Sequence, residues 1–392
     1  MISGNLVLYI FIFIYWNFLK RKDWFILFEH KEHFHGSDLE KIEAAYGIKK
    51  EDIISFSANV NPLGISYKLR EELSSHIDAI TTYPDREYTS LRKCIAEYAH
   101  TDYRNILTGN GSTELISLVI QILKPSKALI AGPTYSEYEH EISLYNGRSH
   151  YFRLQEYDDF NLNLDALSQA LTSKIDLFVI CNPNNPTSSQ IDRSVMRKIL
   201  DICKEKGIFV MVDETYVEFS DDYENITSIP LTEYYNNIII LRGISKFFAA
   251  PGLRLGYAVC GNHQLLKETA SRKNPWTINS LAAIAGEIMF NDIEYIQKTN
   301  ELVSSERKRI CGILEKVPEI KYYKPNANFI LLQILKDNIT SEDLFEAAIK
   351  NGLMIRDCST FPFLDNKFIR FCFMKPEEND KLLKVIINTL QK

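Results

Sequence analysis

From residue 127 onward, five short apolar runs rich in β-branched residues recur along the chain: KALIAG, IDLFVICN, IFVMVDE, NIIILRG and GYAVCG. Runs of this length that are apolar at almost every position suit strands buried on both faces, which is what a mainly parallel sheet covered by helices provides. Between them, Arg193 to Glu205 repeats apolar residues at three- and four-residue intervals, the stripe of an amphipathic helix. The expected fold class is therefore α/β. After about residue 283 the pattern changes to a long charged helix (Asp292 to Lys316), a strand (NFILLQIL), a helix (SEDLFEAAIKNG), a strand (FIRFCFM) and a closing helix. That order suits a smaller α+β domain. The expected organisation is an arm at 35–55, a large domain at 56–283 and a small C-terminal domain at 284–392.

Residues 1–34 are set outside the catalytic fold. Leu6 to Leu19 (LVLYIFIFIYWNFL) is almost wholly apolar and is followed by Lys20, Arg21 and Lys22. It is short for a spanning helix, and its charges follow the apolar run where a secretory signal would carry them in front. A translated upstream stretch or disordered extension is the favoured reading, ahead of a membrane or partner anchor and of a packed terminal helix. His30, His33 and His35 lack further ligands at zinc-like spacing, so no metal site is expected.

Composition narrows the function. A formal net charge of −6 argues against a nucleic-acid surface, which needs a basic excess. The seven cysteines (Cys94, Cys181, Cys203, Cys260, Cys311, Cys358, Cys372) are odd in number, scattered and never in a C-x-x-C pair. Neither a disulfide framework nor a zinc ribbon is indicated, and a reducing cytoplasm is the simplest compartment.

Three strands of the large domain end in dense polar clusters: Asn182 to Thr187, Asp213 to Tyr216, and Arg242 to Lys246. Ligands of open α/β sheets bind beyond the carboxyl ends of the strands, so three such clusters predict one shared site. In LRGISKFFAAPGLRLGY, Lys246 follows a strand and precedes two phenylalanines. A lysine partly desolvated and close to another cation has a lowered pKa, and its neutral amine can condense with an aldehyde. Arg254 and Ser245 can hold a phosphate. Gly109, Asn110 and Gly111 open an apolar helix in GNGSTELISLVIQIL, which serves equally as a phosphate cradle or as a plain helix cap. Asp213 can keep a pyridine nitrogen protonated and make the ring an electron sink, while Tyr216 and Asn185 can bond a ring hydroxyl. Tyr135 in GPTYSEY either stacks on such a ring or packs in the core. Arg356 and Arg370 lie in or beside apolar strands and need anionic partners. A clamp for a substrate carboxylate and a second anion is favoured over internal pairing with Asp357 or Asp365.

NPNNPTS, DETY and SKFFAAPGLRLGY occur in an order and spacing that make residues 35 to 390 resemble the fold-type-I pyridoxal 5′-phosphate (PLP) enzymes of the class I/II aminotransferase group. HGSDLEKIEAAYGI, FSANVNPLGI, YPDREYTSLRKCIAEY, KNPWTINSLAAIAGE and IRDCSTFPFLD extend the resemblance to its threonine-phosphate decarboxylase branch, and next to its histidinol-phosphate aminotransferase branch. The resemblance implies Lys246 as the Schiff-base lysine, Asp213 at the pyridine nitrogen, Asn185 and Tyr216 at the ring hydroxyl, and Tyr135 stacked on the ring. It implies phosphate contacts from Gly111, Ser112, Ser245 and Arg254. Tyr83 would reach the cofactor of a neighbouring subunit, so a homodimer is expected. Arg370 would bind the substrate carboxylate, with Arg356 near the phosphate of a small phosphorylated substrate, helped by Asn59, His35 and Gly36. Two positions depart from the pattern: Gly243 stands where relatives carry Ser or Thr, and Ser188 replaces a glycine.

The orientation of substrate at Cα selects the reaction, so the same residues serve two chemistries. Decarboxylation of L-threonine O-3-phosphate to aminopropanol phosphate, a step of cobalamin biosynthesis, is the leading expectation. Aminotransfer from histidinol phosphate or a similar amine is the alternative. A non-catalytic PLP-binding regulator is disfavoured, because the chain shows no fused partner- or DNA-binding module.

Overall fold

In a computed structural model the chain is described over residues 38–391. The apolar N-terminal stretch, the three histidines, and Gly36 lie outside the described residues. Strand β1 (Ile54–Ser55) precedes a central sheet of seven strands: β2 (Ile106–Gly109), β3 (Lys127–Gly132), β4 (Arg148–Arg153), β5 (Leu177–Cys181), β6 (Phe209–Asp213), β7 (Ile238–Gly243) and β8 (Gly256–Val259). Their spatial order is β2-β8-β7-β6-β5-β3-β4. From β7 to β4 all pairings are parallel, and β8 runs antiparallel to β2 and β7. This is the mainly parallel α/β sheet expected from the apolar runs.

Burial explains which strands the runs reveal. β5 and β7 are buried at every position, and their Val, Ile and Leu side chains are covered on both faces. Leu115, Ile116, Val119 and Ile120 of the helix Gly111–Leu123 share one core with Val179, Met211, Ile239 and Leu241 of the sheet. Each such fully buried side chain contributes about 1.5–3 kcal/mol. The helix Arg193–Glu205 starts where the Asp192 side chain accepts the Val195 N–H, and buries Met196, Ile199, Leu200 and Cys203 on one face. β4 escapes the apolar criterion because it is an edge strand none of whose residues is fully buried.

The C-terminal part carries β9 (Ile320–Tyr322), β10 (Phe329–Ile334), β11 (Leu353–Met354), β12 (Arg356–Asp357) and β13 (Phe368–Cys372). Four of these form an antiparallel sheet in the order β12-β13-β10-β9, while β11 pairs in parallel with β1. The long charged helix is Ile293–Leu314, and the last is Pro376–Leu390. The helix Ser341–Ile349 begins with a capping box between Thr340 and Asp343.

Two features of this architecture position the site. β5, β6 and β7 are adjacent and parallel, so their carboxyl ends present Asn182–Thr187, Asp213–Tyr216 and Lys246 side by side. The register of the small sheet sets Arg370 of β13 directly opposite Arg356 of β12 and Leu331 of β10.

Candidate active site

Lys246 lies three residues beyond β7, and its Nζ donates to the Ala58 carbonyl at 2.8 Å. Burial, and then the Arg370 and Arg254 guanidinium charges, lower its pKa to about 8. The neutral amine is thus available near physiological pH. The backbone secures the same junction, since the Asn61 N–H donates to the Lys246 carbonyl. The FSANVNPLG segment therefore wraps the lysine.

Asp213 ends β6, and burial pushes its carboxyl up despite the bonds that favour the charged form. Thr215 donates to Oδ1 through its hydroxyl (2.5 Å) and its N–H (2.9 Å), and Tyr138 donates its hydroxyl to Oδ2 at 2.6 Å. A carboxylate so desolvated gains most when a cation faces it, as a protonated pyridine nitrogen would. The Tyr135 ring meets Tyr138 edge-on at 5.7 Å. Tyr138 was not singled out in the sequence, because EYEHEISL reads as an ordinary helix; its spacing from Tyr135 was the available signal.

The next group unites residues from distant parts of the chain. Asn59, at φ 54°, donates through Nδ2 to the Tyr216 hydroxyl at 3.3 Å. Arg370 donates through Nη1 to Asn185 Oδ1 and through Nη2 to the Ser57 carbonyl at 2.7 Å. Its guanidinium lies 5.2 Å from the Phe329 ring centre, and Tyr216 packs edge-on to that ring at 4.9 Å. Arg370 is 5% exposed, and no carboxylate among the described residues pairs with it. Arg356 donates to Thr360 Oγ1 at 2.9 Å and lies over Phe361. Burial lowers its pKa, and the neighbouring Arg370 charge adds to that. The two guanidinium groups stand directly opposite each other on paired strands and concentrate positive charge at this place.

The candidate phosphate cradle is shaped by two close approaches. Gly111 opens its helix at φ 80°, and a side-chain carbon there would come within 2.5 Å of the Arg254 guanidinium. Gly256 lets the Gly111–Ser112 backbone press against β8, since a Cβ would lie 2.5 Å from the Ser112 nitrogen. Arg254, itself at φ 58°, therefore sits over a helix N-terminus. A side-chain carbon on Gly243 would meet Ser112 Oγ at 3.6 Å, an ordinary contact, so the glycine departure leaves space beside Ser112. Ser245 is half-buried next to Lys246. Tyr83 is not drawn into this group: it is 80% exposed and packs on Trp276 at 4.8 Å. His35 and Gly36 fall outside the described residues.

Beneath the lysine and aspartate lies a buried ion pair that sequence reasoning passed over. Arg242 of β7 donates to Glu214 Oε2 through Nε (3.1 Å) and Nη2 (2.6 Å), with both side chains fully buried. Tyr223 and Thr227 take further guanidinium bonds. Arg242 opens one of the polar clusters and Glu214 lies within another, but only the fold shows that their side chains meet.

The donor set fits pyridoxal 5′-phosphate. It offers an amine of lowered pKa, a buried carboxylate at a strand end, and an anion cradle at a helix start. It also leaves polar atoms without partners, Asn59 Oδ1, Ser57 Oγ and Arg370 Nε. Buried orphan atoms of this kind call for a ligand.

Comparison with known proteins agrees. The chain is 32% identical to threonine-phosphate decarboxylase of Salmonella typhimurium over 356 residues, covering 91% of this chain and 96% of that protein. It is 33% identical over 359 residues to the adenosylcobalamin biosynthesis bifunctional protein CobDQ of Leptospira interrogans, covering 90% of this chain and 41% of that protein. The crystal structure of histidinol-phosphate aminotransferase from Clostridium acetobutylicum superposes with a TM-score of 0.81 at 30% identity, covering 86% of this chain and 98% of that one. Residues 51–386 match the family model "Aminotransferase class I and II". The chain belongs to the class I and II aminotransferase family, and its cofactor is pyridoxal 5′-phosphate.

Proposed function

We propose that the protein decarboxylates L-threonine O-3-phosphate to aminopropanol phosphate, in cobalamin biosynthesis. The observation that carries this reading is the Arg356–Arg370 pair, two buried guanidinium groups in register on adjacent strands. Arg370 pairs with no carboxylate among the described residues, so a small substrate that carries a carboxylate for it and a phosphate to lie toward Arg356 suits this pair. The threonine-phosphate decarboxylase relative supports the same choice.

In this reading Lys246 would hold the cofactor, Asp213 would serve its ring nitrogen, and Asn185 and Tyr216 would serve its ring hydroxyl. Tyr135 would pack on the ring, while Gly111, Ser112, Ser245 and Arg254 would hold the phosphate. The bound cofactor supplies an electron-withdrawing ring that accepts the electron pair released at Cα. Arg370 holds the substrate carboxylate, with Arg356 and Asn59 toward the substrate phosphate. Lys246, its pKa lowered to about 8, takes up the proton given up by the substrate ammonium and donates it to Cα once the carboxylate has left as carbon dioxide. Tyr138 and Thr215 keep the Asp213 carboxylate aimed and water-free.

The assembly is read as a homodimer. Tyr67, Ile77, Ile80 and Tyr83 are exposed apolar side chains close in sequence, and Tyr83 in that face would reach a neighbouring subunit. The free state of all seven cysteines supports a reducing compartment. No helix among the described residues is long and apolar enough to cross a membrane.

A second reading, aminotransfer from histidinol phosphate, is favoured by the likeness to the Clostridium structure. There the two arginines would serve in turn, one anion from the amine donor and two from 2-oxoglutarate. Product analysis separates the readings: aminopropanol phosphate formed from threonine phosphate supports decarboxylation. Glutamate formed only from histidinol phosphate and 2-oxoglutarate would make the protein an aminotransferase.

A further inference from the structure

We infer that Ser188 is a positioning residue, whose hydroxyl latches the loop bearing Asn185 to the chain leading into β10 and so fixes where the substrate carboxylate is held. The inference rests on the proposed substrate, and deepens it.

Ser188 is fully buried and holds a left-handed backbone, φ 59°. Its Oγ accepts the N–H groups of both Asn326 and Ala327 at 2.8 Å, and its carbonyl accepts Asn326 Nδ2 at 2.9 Å. Its own loop is closed, since the Ser188 N–H donates to the Asn184 carbonyl (2.7 Å) and the Asn184 N–H to the Ser189 carbonyl (2.8 Å). Three residues before Ser188, Asn185 accepts from Arg370. On the other side of the latch, Asn328 donates to the Asn59 carbonyl at 3.0 Å, and Phe329 underlies both Arg370 and Tyr216. β10 then pairs with the Arg370 strand.

Serine is poorly suited to this backbone, and glycine would adopt it freely. Glycine would leave the buried Ala327 amide and the half-buried Asn326 amide without this acceptor. The serine thus accepts backbone strain in return for tying the Asn185 loop, from the large sheet, to the strand that fixes Arg370. Release of the latch lets Arg370 and Asn185 move apart, and the carboxylate loses its fixed place beside the ring.

The test compares Ser188→Gly and Ser188→Ala in the full-length holoenzyme. Both remove the acceptor, but glycine also relieves the strain, so thermal stability should separate the two variants. Positioning predicts that they nevertheless behave alike: KM for threonine phosphate rises roughly tenfold in both, the effect of unpairing buried donors. Affinity for aminopropanol phosphate, which lacks the carboxylate, stays within about twofold. Amide exchange at Asn326 and Ala327 accelerates in both. A KM that follows thermal stability, equal loss of both ligands, or wild-type behaviour in both variants overturns the inference. A wild-type enzyme inactive on threonine phosphate refutes the substrate reading instead. The latch is then judged with 2-oxoglutarate as the carboxylate probe, against inorganic phosphate, by the same criterion.

Discussion

Replacing Arg370 by leucine removes the guanidinium proposed to hold the substrate carboxylate while keeping an apolar side chain against Phe329. Truncating one partner of a buried charge pair costs about 2–5 kcal/mol, so affinity for threonine phosphate should fall by about 30-fold to several thousand-fold. Aminopropanol phosphate is the control, since it shares the phosphate and amine but has no carboxylate; its affinity should change by less than about threefold. Arg356→Leu, by contrast, should weaken both ligands together. Asn185 Oδ1 and the Ser57 carbonyl lose a donor in Arg370→Leu, at a cost of about 1–3 kcal/mol each to the fold. Thermal unfolding should therefore be followed beside equilibrium titration of each ligand. Equal losses for both ligands in Arg370→Leu, or selective loss of threonine phosphate in Arg356→Leu, would refute the assignment of carboxylate and phosphate to the two arginines.

Because only the neutral Lys246 amine reacts, capture of pyridoxal phosphate by the apoenzyme should rise with pH through a midpoint near 8; stopped-flow absorbance would show this, and a midpoint near 10.5 would contradict the burial argument. Arg370→Leu should move that midpoint upward by removing a nearby positive charge. Arg242→Met leaves Glu214 buried without its partner and should destabilise the protein by about 3–5 kcal/mol in denaturant unfolding. Gly243→Ser fills the space beside Ser112 without a clash and should slow cofactor release during dialysis; faster release would show that the hydroxyl cannot reach the phosphate. Tyr138→Phe deprives Asp213 of a bond that favours its charged form, so cofactor affinity should fall by a factor of about 10, read by fluorescence titration.

The longer buried strands were legible in the sequence because burial imposes nearly unbroken Val, Ile and Leu, whereas β2, the four residues ILTG, is buried throughout but too short and too mixed to show such a run. β4, RSHYFR, was not: an edge strand need not be apolar, and its pairing partner is known only from the fold. β12 has two residues and carries no pattern at all, yet it sets Arg356 opposite Arg370. The gathering of polar residues at one sheet end was legible where they cluster within a few positions after a strand, as Asp213, Tyr216 and Lys246 do. Contacts that cross the chain were hidden. Tyr138 to Asp213 spans 75 residues and Lys246 to Ala58 spans 188, and no local spacing reports either. Ser188 was visible as a departure from a glycine, and its meaning became clear only when its hydroxyl was found on the Asn326 and Ala327 amides.

The most direct test of the account is to supply the purified, cofactor-loaded protein with threonine phosphate labelled at the carboxyl carbon, with no keto acid present, and count labelled carbon dioxide per active site. Sustained release over many turnovers, abolished in Lys246→Ala, is the predicted result. Release of no labelled carbon dioxide, beside steady glutamate formation once histidinol phosphate and 2-oxoglutarate are added, would contradict it.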